Sequence, residues 1–299
     1  MKKNRDTPLL NFRYRLELAG IYSITAILRI FPLQFSSWLV GKTWRAVAPL
    51  TKRHQRALGH LESAIPEYDE HKRERTICEM WECLGRVMVE TFLLDRLSKR
   101  DDLFSFDTSE VSEAIQNGSG GYVVVSLHTG NWELSVIPAV RENIETCGVY
   151  QSLTNPYVDR FLCNLRTPLY TGGLFSKTYD TARNMVAAVR SGKIAAFLAD
   201  QRDVRGVKVQ FFGKAAYANP FPVMLARSCK VPLIACRTIR KDEGGFHFEA
   251  KFVDIPRDGD RKQDIAAGTQ IVHDQFEKWI REYPSQWMWI HRKWAHADK

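Results

Sequence analysis

The stretch Gly120-Gly121-Tyr122-Val123-Val124-Val125-Ser126-Leu127-His128-Thr129-Gly130-Asn131-Trp132-Glu133 decides the fold. Residues 122–127 are a short apolar run rich in β-branched types, with glycines before it and Thr129-Gly130-Asn131 after. Such a run predicts a central strand buried on both faces. Chemistry in open α/β sheets gathers at the carboxyl ends of strands, and His128 stands at such an end. Glu133 follows five positions later. On one continuous helix, positions i and i+5 point apart. Across a strand–turn–helix junction the backbone reverses, so Glu133 is expected to return to His128. There it would fix the ring tautomer, leave the other nitrogen as a base and stabilise the imidazolium. The blander alternative is a solvated or structural histidine in a turn. A metal site is not expected: His-x4-Glu is an uncommon ligand spacing, and no His-Glu-x-x-His or Cys-x-x-Cys completes one.

Outward from this stretch, strands alternate with helices. Strands are expected at 103–106, 146–151, 194–199, 232–239 and 246–253, the last two antiparallel across the turn Asp242-Glu243-Gly244-Gly245. Helices are expected at 109–116, 131–142, from Asn155-Pro156 to 166, at 179–191, at 220–229 and up to Pro284. Thr171-Gly172-Gly173 reads as a break, and 206–213 as a loop with a Phe211-Phe212-Gly213 turn. A long amphipathic helix is expected over 67–97. Its apolar stripe is Ile77, Met80, Trp81, Leu84, Val87, Met88 and Phe92; its polar face carries Glu74, Arg75, Glu79, Glu82, Arg86 and Glu90. The pattern predicts α/β architecture with a mostly parallel sheet flanked by helices. The strand at 194–199 ends in Asp200-Gln201-Arg202-Asp203 and so repeats the opening theme of an apolar strand delivering polar groups.

The 299 residues, 44% of them hydrophobic and 26% charged, suit a globular chain rather than a disordered one. A net charge of +9 favours an anionic partner. The six cysteines form no Cys-x-x-Cys and read as reduced, buried thiols of a cytosol-facing protein. Residues 1–15 are basic (Lys2, Lys3, Arg5, Arg13 and Arg15 against Asp6), and 18–41 hold one charge, Arg29. As a helix this segment would be about 36 Å long, nominally a membrane span. Pro32 should break it, so two helices are expected, about 9–31 and 33–48, dipping into one leaflet. A true single span and an ordinary buried helical hairpin are the alternatives. No acidic residue occurs from 42 to 56, while Lys42, Arg45, Lys52, Arg53 and Arg56 do. Basic flanks on both sides suit an anionic cytoplasmic membrane surface. The division expected is a basic, membrane-associated helical segment over 1–56 and an α/β domain over 57–299.

No Gly-x-Ser-x-Gly, Gly-x4-Gly-Lys-Ser/Thr or Gly-x-Gly-x-x-Gly occurs, so neither a hydrolase nucleophile elbow nor a nucleotide-phosphate cradle is supported. Arg292-Lys293-Trp294 suggests stacking on nucleic acid. Those aromatics cluster in a tail and belong to no recognised module, so a nucleic acid is not expected as partner.

His128-Thr129-Gly130-Asn131-Trp132-Glu133 resembles the His-x-Gly-Asn-Trp-Glu signature of the late acyltransferases of lipid A biosynthesis, relatives of the glycerol-phosphate acyltransferases with their His-x4-Asp box. Ala64-Ile65-Pro66-Glu67, Asn155-Pro156 with Arg166, Ala199-Asp200-Gln201, Phe211-Phe212-Gly213 and Pro284-Ser285-Gln286-Trp287-Met288-Trp289-Ile290-His291-Arg292 extend the similarity over about residues 10–294. The chain departs from the pattern at His60, Thr129, Lys208, Gln210 and Trp287, none of which replaces His128 or Glu133. The resemblance implies transfer of a fatty acyl chain from acyl carrier protein, or acyl-CoA, to a hydroxyl of a lipid A precursor at the cytoplasmic side of the inner membrane, without a cofactor. It implies His128 as general base with Glu133. Arg166, Asp200, Gln201 and Asn131 are the candidate substrate-binding residues. Asp200 and Gln201 have an alternative role in bracing the His128 turn, and Asn131 one in capping the next helix. Another glycolipid or phospholipid acceptor is one rival reading. A non-catalytic membrane- or nucleic-acid-binding protein is the other.

Overall fold

The computed structural model describes residues 8–118 and 120–294. Lys2, Lys3, Arg5 and Asp6 of the basic N-terminus lie outside them. Among the described residues there are nine strands: β1 (Phe104–Asp107), β2 (Tyr122–Ser126), β3 (Thr146–Tyr150), β4 (Gly173–Ser176), β5 (Ile194–Leu198), β6 (Arg202–Phe211), β7 (Lys214–Ala218), β8 (Leu233–Arg240) and β9 (Phe246–Val253). Seven of them form one sheet in the order β1-β9-β8-β2-β5-β3-β4, with β6 and β7 a separate ribbon. Neighbours are parallel except β8 and β9, which run antiparallel from Leu233 opposite Val253 to Arg240 opposite Phe246.

The β2 strand is central and covered on both faces, which accounts for its apolar run. Val123, Val125 and Leu127 enter the larger core with Met80, Val223, Phe276 and Trp287. Tyr122 enters a second core with Val111, Leu134, Ile137, Ile234 and Phe248.

Four N-terminal helices lead into the sheet: α1 (Pro8–Ile30), α2 (Leu33–Val47), α3 (Lys52–Ala64) and α4 (Glu70–Phe92). The chain turns between α1 and α2 at Phe31-Pro32, where proline forbids continuation. Among the described residues, no helix is long and apolar enough to cross a membrane. The α3 helix runs across residue 56, where the two segments were expected to divide. Asp69 starts α4 by accepting from the Lys72 N–H, so Pro66 and Glu67 precede the helix rather than open it. A separate short helix, Leu94–Leu97, follows α4.

Three local expectations are corrected. The helix expected over 131–142 is a 3₁₀ turn, Trp132–Leu134, followed by a short helix, Ile137–Arg141. Pro138 lacks an N–H and therefore belongs at a helix start. The loop expected at 206–213 is half of a hairpin: Val207, Val209 and Phe211 alternate with Lys208 and Gln210, which point outward. Phe212 and Gly213 link the strands with φ of 53° and 67°, the two left-handed residues that a tight hairpin turn requires. Third, Gly173 opens the edge strand β4, where only a break was expected.

All six cysteines are free. Cys83, Cys147 and Cys236 are buried, whereas Cys78, Cys163 and Cys229 are half-buried.

Candidate active site

The register of β2 and β5 builds the site. Ser126 pairs with Leu198. Two residues beyond each lie His128 and Asp200, side by side at the carboxyl edge of the sheet. Nδ1 of His128 lies 2.7 Å from Oδ1 of Asp200. The His128 backbone N–H donates to Oδ2 (3.0 Å), as does Nε1 of Trp287 (2.8 Å). Burial opposes ionisation of Asp200, but the charge of His128 and these hydrogen bonds outweigh it and hold the carboxyl well below its usual range. An ionised carboxylate accepts only, so Nδ1 carries a proton, and in the neutral ring the lone pair falls on Nε2. Nε2 faces the side-chain amide of Gln201 at 3.1 Å.

The carboxylate beside His128 is therefore Asp200, and the expected contact from Glu133 is absent. Both Glu133 oxygens are engaged by Arg166, at 2.8 and 2.5 Å. The short 3₁₀ turn gives Glu133 no helical return path to His128. It lies buried beneath the mostly buried Arg166 at the end of helix Pro156–Arg166. Arg166 thus meets a carboxylate of its own chain.

Asn131 is fully buried. Its Oδ1 accepts from the Glu133 N–H (3.1 Å), which caps the 3₁₀ turn, and its Nδ2 donates to Glu90 (2.8 Å). Of the alternatives weighed for Asn131, capping is the one the geometry displays. Glu90 was expected on a solvated helix face. It is instead buried, with two hydrogen bonds from Arg240 and one from Ser37. Burial alone would raise its carboxyl, yet Arg240 keeps it below the usual range. This buried pair anchors the turn from below.

The C-terminal tail closes the turn from above. Gly130 N–H donates to the Gln286 carbonyl, and Met288 N–H donates to the His128 carbonyl, making a short antiparallel bridge. Gly130 sits at φ +55°, and a Cβ there would meet the Thr238 carbonyl oxygen at 2.1 Å, so only glycine fits. Further along, Nε2 of His291 accepts from the Arg202 N–H (3.0 Å). Burial lowers His291 to about 4, which keeps it neutral and able to accept. Lys293 is fully buried; its Nζ donates to Nε2 of His273 (2.9 Å) and to the Gln201 carbonyl (3.4 Å). Burial lowers Lys293 to about 8, and burial with the Lys293 charge lowers His273 to about 3.

Sequence reasoning thus found His128, Asp200 and Gln201, which the fold brings together, and it also found Glu133 and Arg166, which pair with each other. It missed Trp287 and Lys293 as supports, and Glu90 with Arg240 as the buried anchor. The signal for Trp287 was the spacing of apolar tryptophans with one ring N–H each, since a buried Trp needs an acceptor.

No curated relative matches the chain. The sequence matches, over residues 2–296, the family model described as Bacterial lipid A biosynthesis acyltransferase. That match spans nearly all 299 residues and takes in every element that builds the site. The chain belongs to the bacterial lipid A biosynthesis acyltransferase family.

Proposed function

We propose that this protein transfers a fatty acyl chain from an acyl thioester, carried by acyl carrier protein or CoA, to a hydroxyl of a lipid A precursor. The observation that carries the reading is the His128–Asp200 pair, with its Nε2 lone pair at the carboxyl edge of the sheet. The acceptor hydroxyl replaces the Gln201 amide at Nε2. It gives His128 its proton as the oxygen attacks the thioester carbonyl carbon. Asp200 stabilises the imidazolium formed. When the tetrahedral intermediate collapses, the carbon–sulfur bond breaks and the thiolate takes the proton back from His128. No acyl-enzyme is needed. Arg166 spends Nε and one Nη on Glu133 and keeps its other Nη to donate to the oxyanion. Glu133 acts through Arg166, as a positioning residue.

The N-terminal helices suit a substrate that stays in a bilayer. Phe12, Leu16, Ile24 and Ile27 form one exposed apolar stripe along α1, and Phe31 in the turn and Phe35, Trp38 and Leu39 on α2 continue it. An exposed stripe of this kind, flanked by Arg13, Arg15, Lys42 and Arg45, fits a helix lying in an anionic interface. The opposite face of α1 reaches the site helix: Asn155 donates to the Tyr14 carbonyl, and Tyr22 packs edge-on to Phe161. These features support the proposed location of the protein at the cytoplasmic face of the inner membrane.

Mass spectrometry of lipid A tests the reading. Deleting the gene should leave lipid A one acyl chain short, and the parental gene should restore the missing chain while His128→Ala does not. Unchanged lipid A after deletion contradicts the reading.

A further inference from the structure

A second feature lies one residue beyond Gln201. An open cavity of ≈480 Å³ is lined by Arg56, Lys177, Arg202, Arg205 and Arg292, with Asp203 the one carboxylate among the described residues that line it. These cations come from α3, from the loop after β4, from β6 and from the tail, so the fold gathers them. Asp203 is occupied by the Arg205 backbone N–H (3.1 Å). Among the described residues, Arg56, Lys177, Arg205 and Arg292 meet no carboxylate. By contrast Arg29, Arg166, Arg227, Arg237 and Arg240 each do. Like charges gathered in a concavity repel one another, and the arrangement is relieved when an anion enters.

The cavity's wall adjoins the site along the chain. Arg202 N–H donates to His291 at its wall, and the preceding residue, Gln201, touches His128 Nε2. Adjacent Cα atoms are about 3.8 Å apart, so the wall of the basin and the residue against His128 are neighbours. Arg166, the residue the sequence offered for phosphate, is already neutralised by Glu133.

We propose that this basin binds a phosphate ester of a substrate. Several guanidinium groups around a small concavity suit a compact tetrahedral oxyanion that accepts forked hydrogen bonds. An acidic protein surface would need a broader, flatter patch. The chemistry is shared by two sources, the sugar phosphate of the acceptor and the phosphodiester arm of the donor. The inference rests on the acyl-transfer reading for its meaning, while its binding test does not.

The test uses the full chain and an Arg205→Gln/Arg292→Gln variant, both exposed positions, with circular dichroism to confirm the fold. Calorimetry with inorganic pyrophosphate reads the basin without any reaction. The parent should bind, and the variant should bind at least tenfold more weakly. Steady-state kinetics then locate the source. KM should rise at least tenfold for the acceptor if its phosphate sits in the basin, or for acyl-CoA if the donor's does, while kcat changes less than threefold. Equal pyrophosphate binding by parent and variant overturns the proposal. So does a variant impaired only with acyl carrier protein as donor while pyrophosphate binding is unchanged, because the basin then docks an acidic protein. If pyrophosphate binding falls as expected but no acyl transfer occurs in either protein, the basin stands and the acyl-transfer reading fails.

Discussion

His128 has one carboxylate partner, and the two candidates make opposite predictions. A double-mutant cycle on stability should give a coupling of about 1–3 kcal/mol between Glu133 and Arg166 and near zero between Glu133 and His128. A large Glu133–His128 coupling would contradict the geometry. Asp200→Asn should lower turnover about 10²–10⁴-fold, because an amide can donate to Nδ1 and turn the proton to Nε2, where the base must be free. The variant should stay folded, as checked by its melting curve. Both carboxylates were visible in the sequence, but the choice between them was not. Glu133 is near His128 along the chain, whereas Asp200 is 72 residues away and becomes its neighbour only through the β2–β5 register. The repeated pattern of apolar strand followed by polar end was the legible hint. Converting it into a contact needed the knowledge that β2 and β5 are adjacent in the sheet.

At the scale of elements, the buried strands and most helices were legible because their periodicity is long and unmixed. The central β2 run and the antiparallel β8–β9 pair were read with nearly the right bounds. The β6–β7 ribbon was not, because its turn carries Phe212 where glycine or asparagine is the usual cue. The tail was the other gap, since its tryptophans look like an exposed stacking surface yet Trp287 and Trp289 are buried. The bridge between this tail and the His128 turn can be tested directly. Gly130→Ala should disorder the turn, because the added Cβ clashes with the Thr238 carbonyl and disfavours φ +55°. Loss of activity with a lowered melting temperature is expected, and a fully active, equally stable variant would refute the strain. Trp287→Phe removes one donor to Asp200 and leaves part of the buried indole's space unfilled. It should cost about 1.5–3 kcal/mol in urea unfolding.

The whole molecule joins an apolar N-terminal face to a polar, buried centre, and each half has a measurable signature. Flotation with anionic vesicles should recover the parent in the lipid fraction and lose a Phe12→Asp/Ile27→Asp variant; equal flotation of both contradicts an interfacial α1. The buried centre should give acid sensitivity. His273 and His291 are lowered to about 3 and about 4 from an ordinary 6.5, so the unfolded chain binds more protons than the folded one below pH 6.5. Their stabilisation is complete above that pH and is lost as pH falls through 4 and then 3. Urea midpoints between pH 7 and 4 should therefore fall, and His273→Gln should flatten the slope. Beneath both halves lies the claim that His128, held by Asp200, takes the proton from an acceptor hydroxyl. Purified protein supplied with an acyl thioester and a lipid A precursor measures this through the thiol released. The account predicts acceptor-dependent release, one thiol for each acylated lipid, reduced at least 100-fold in folded His128→Ala. Near-parental turnover by folded His128→Ala would contradict it.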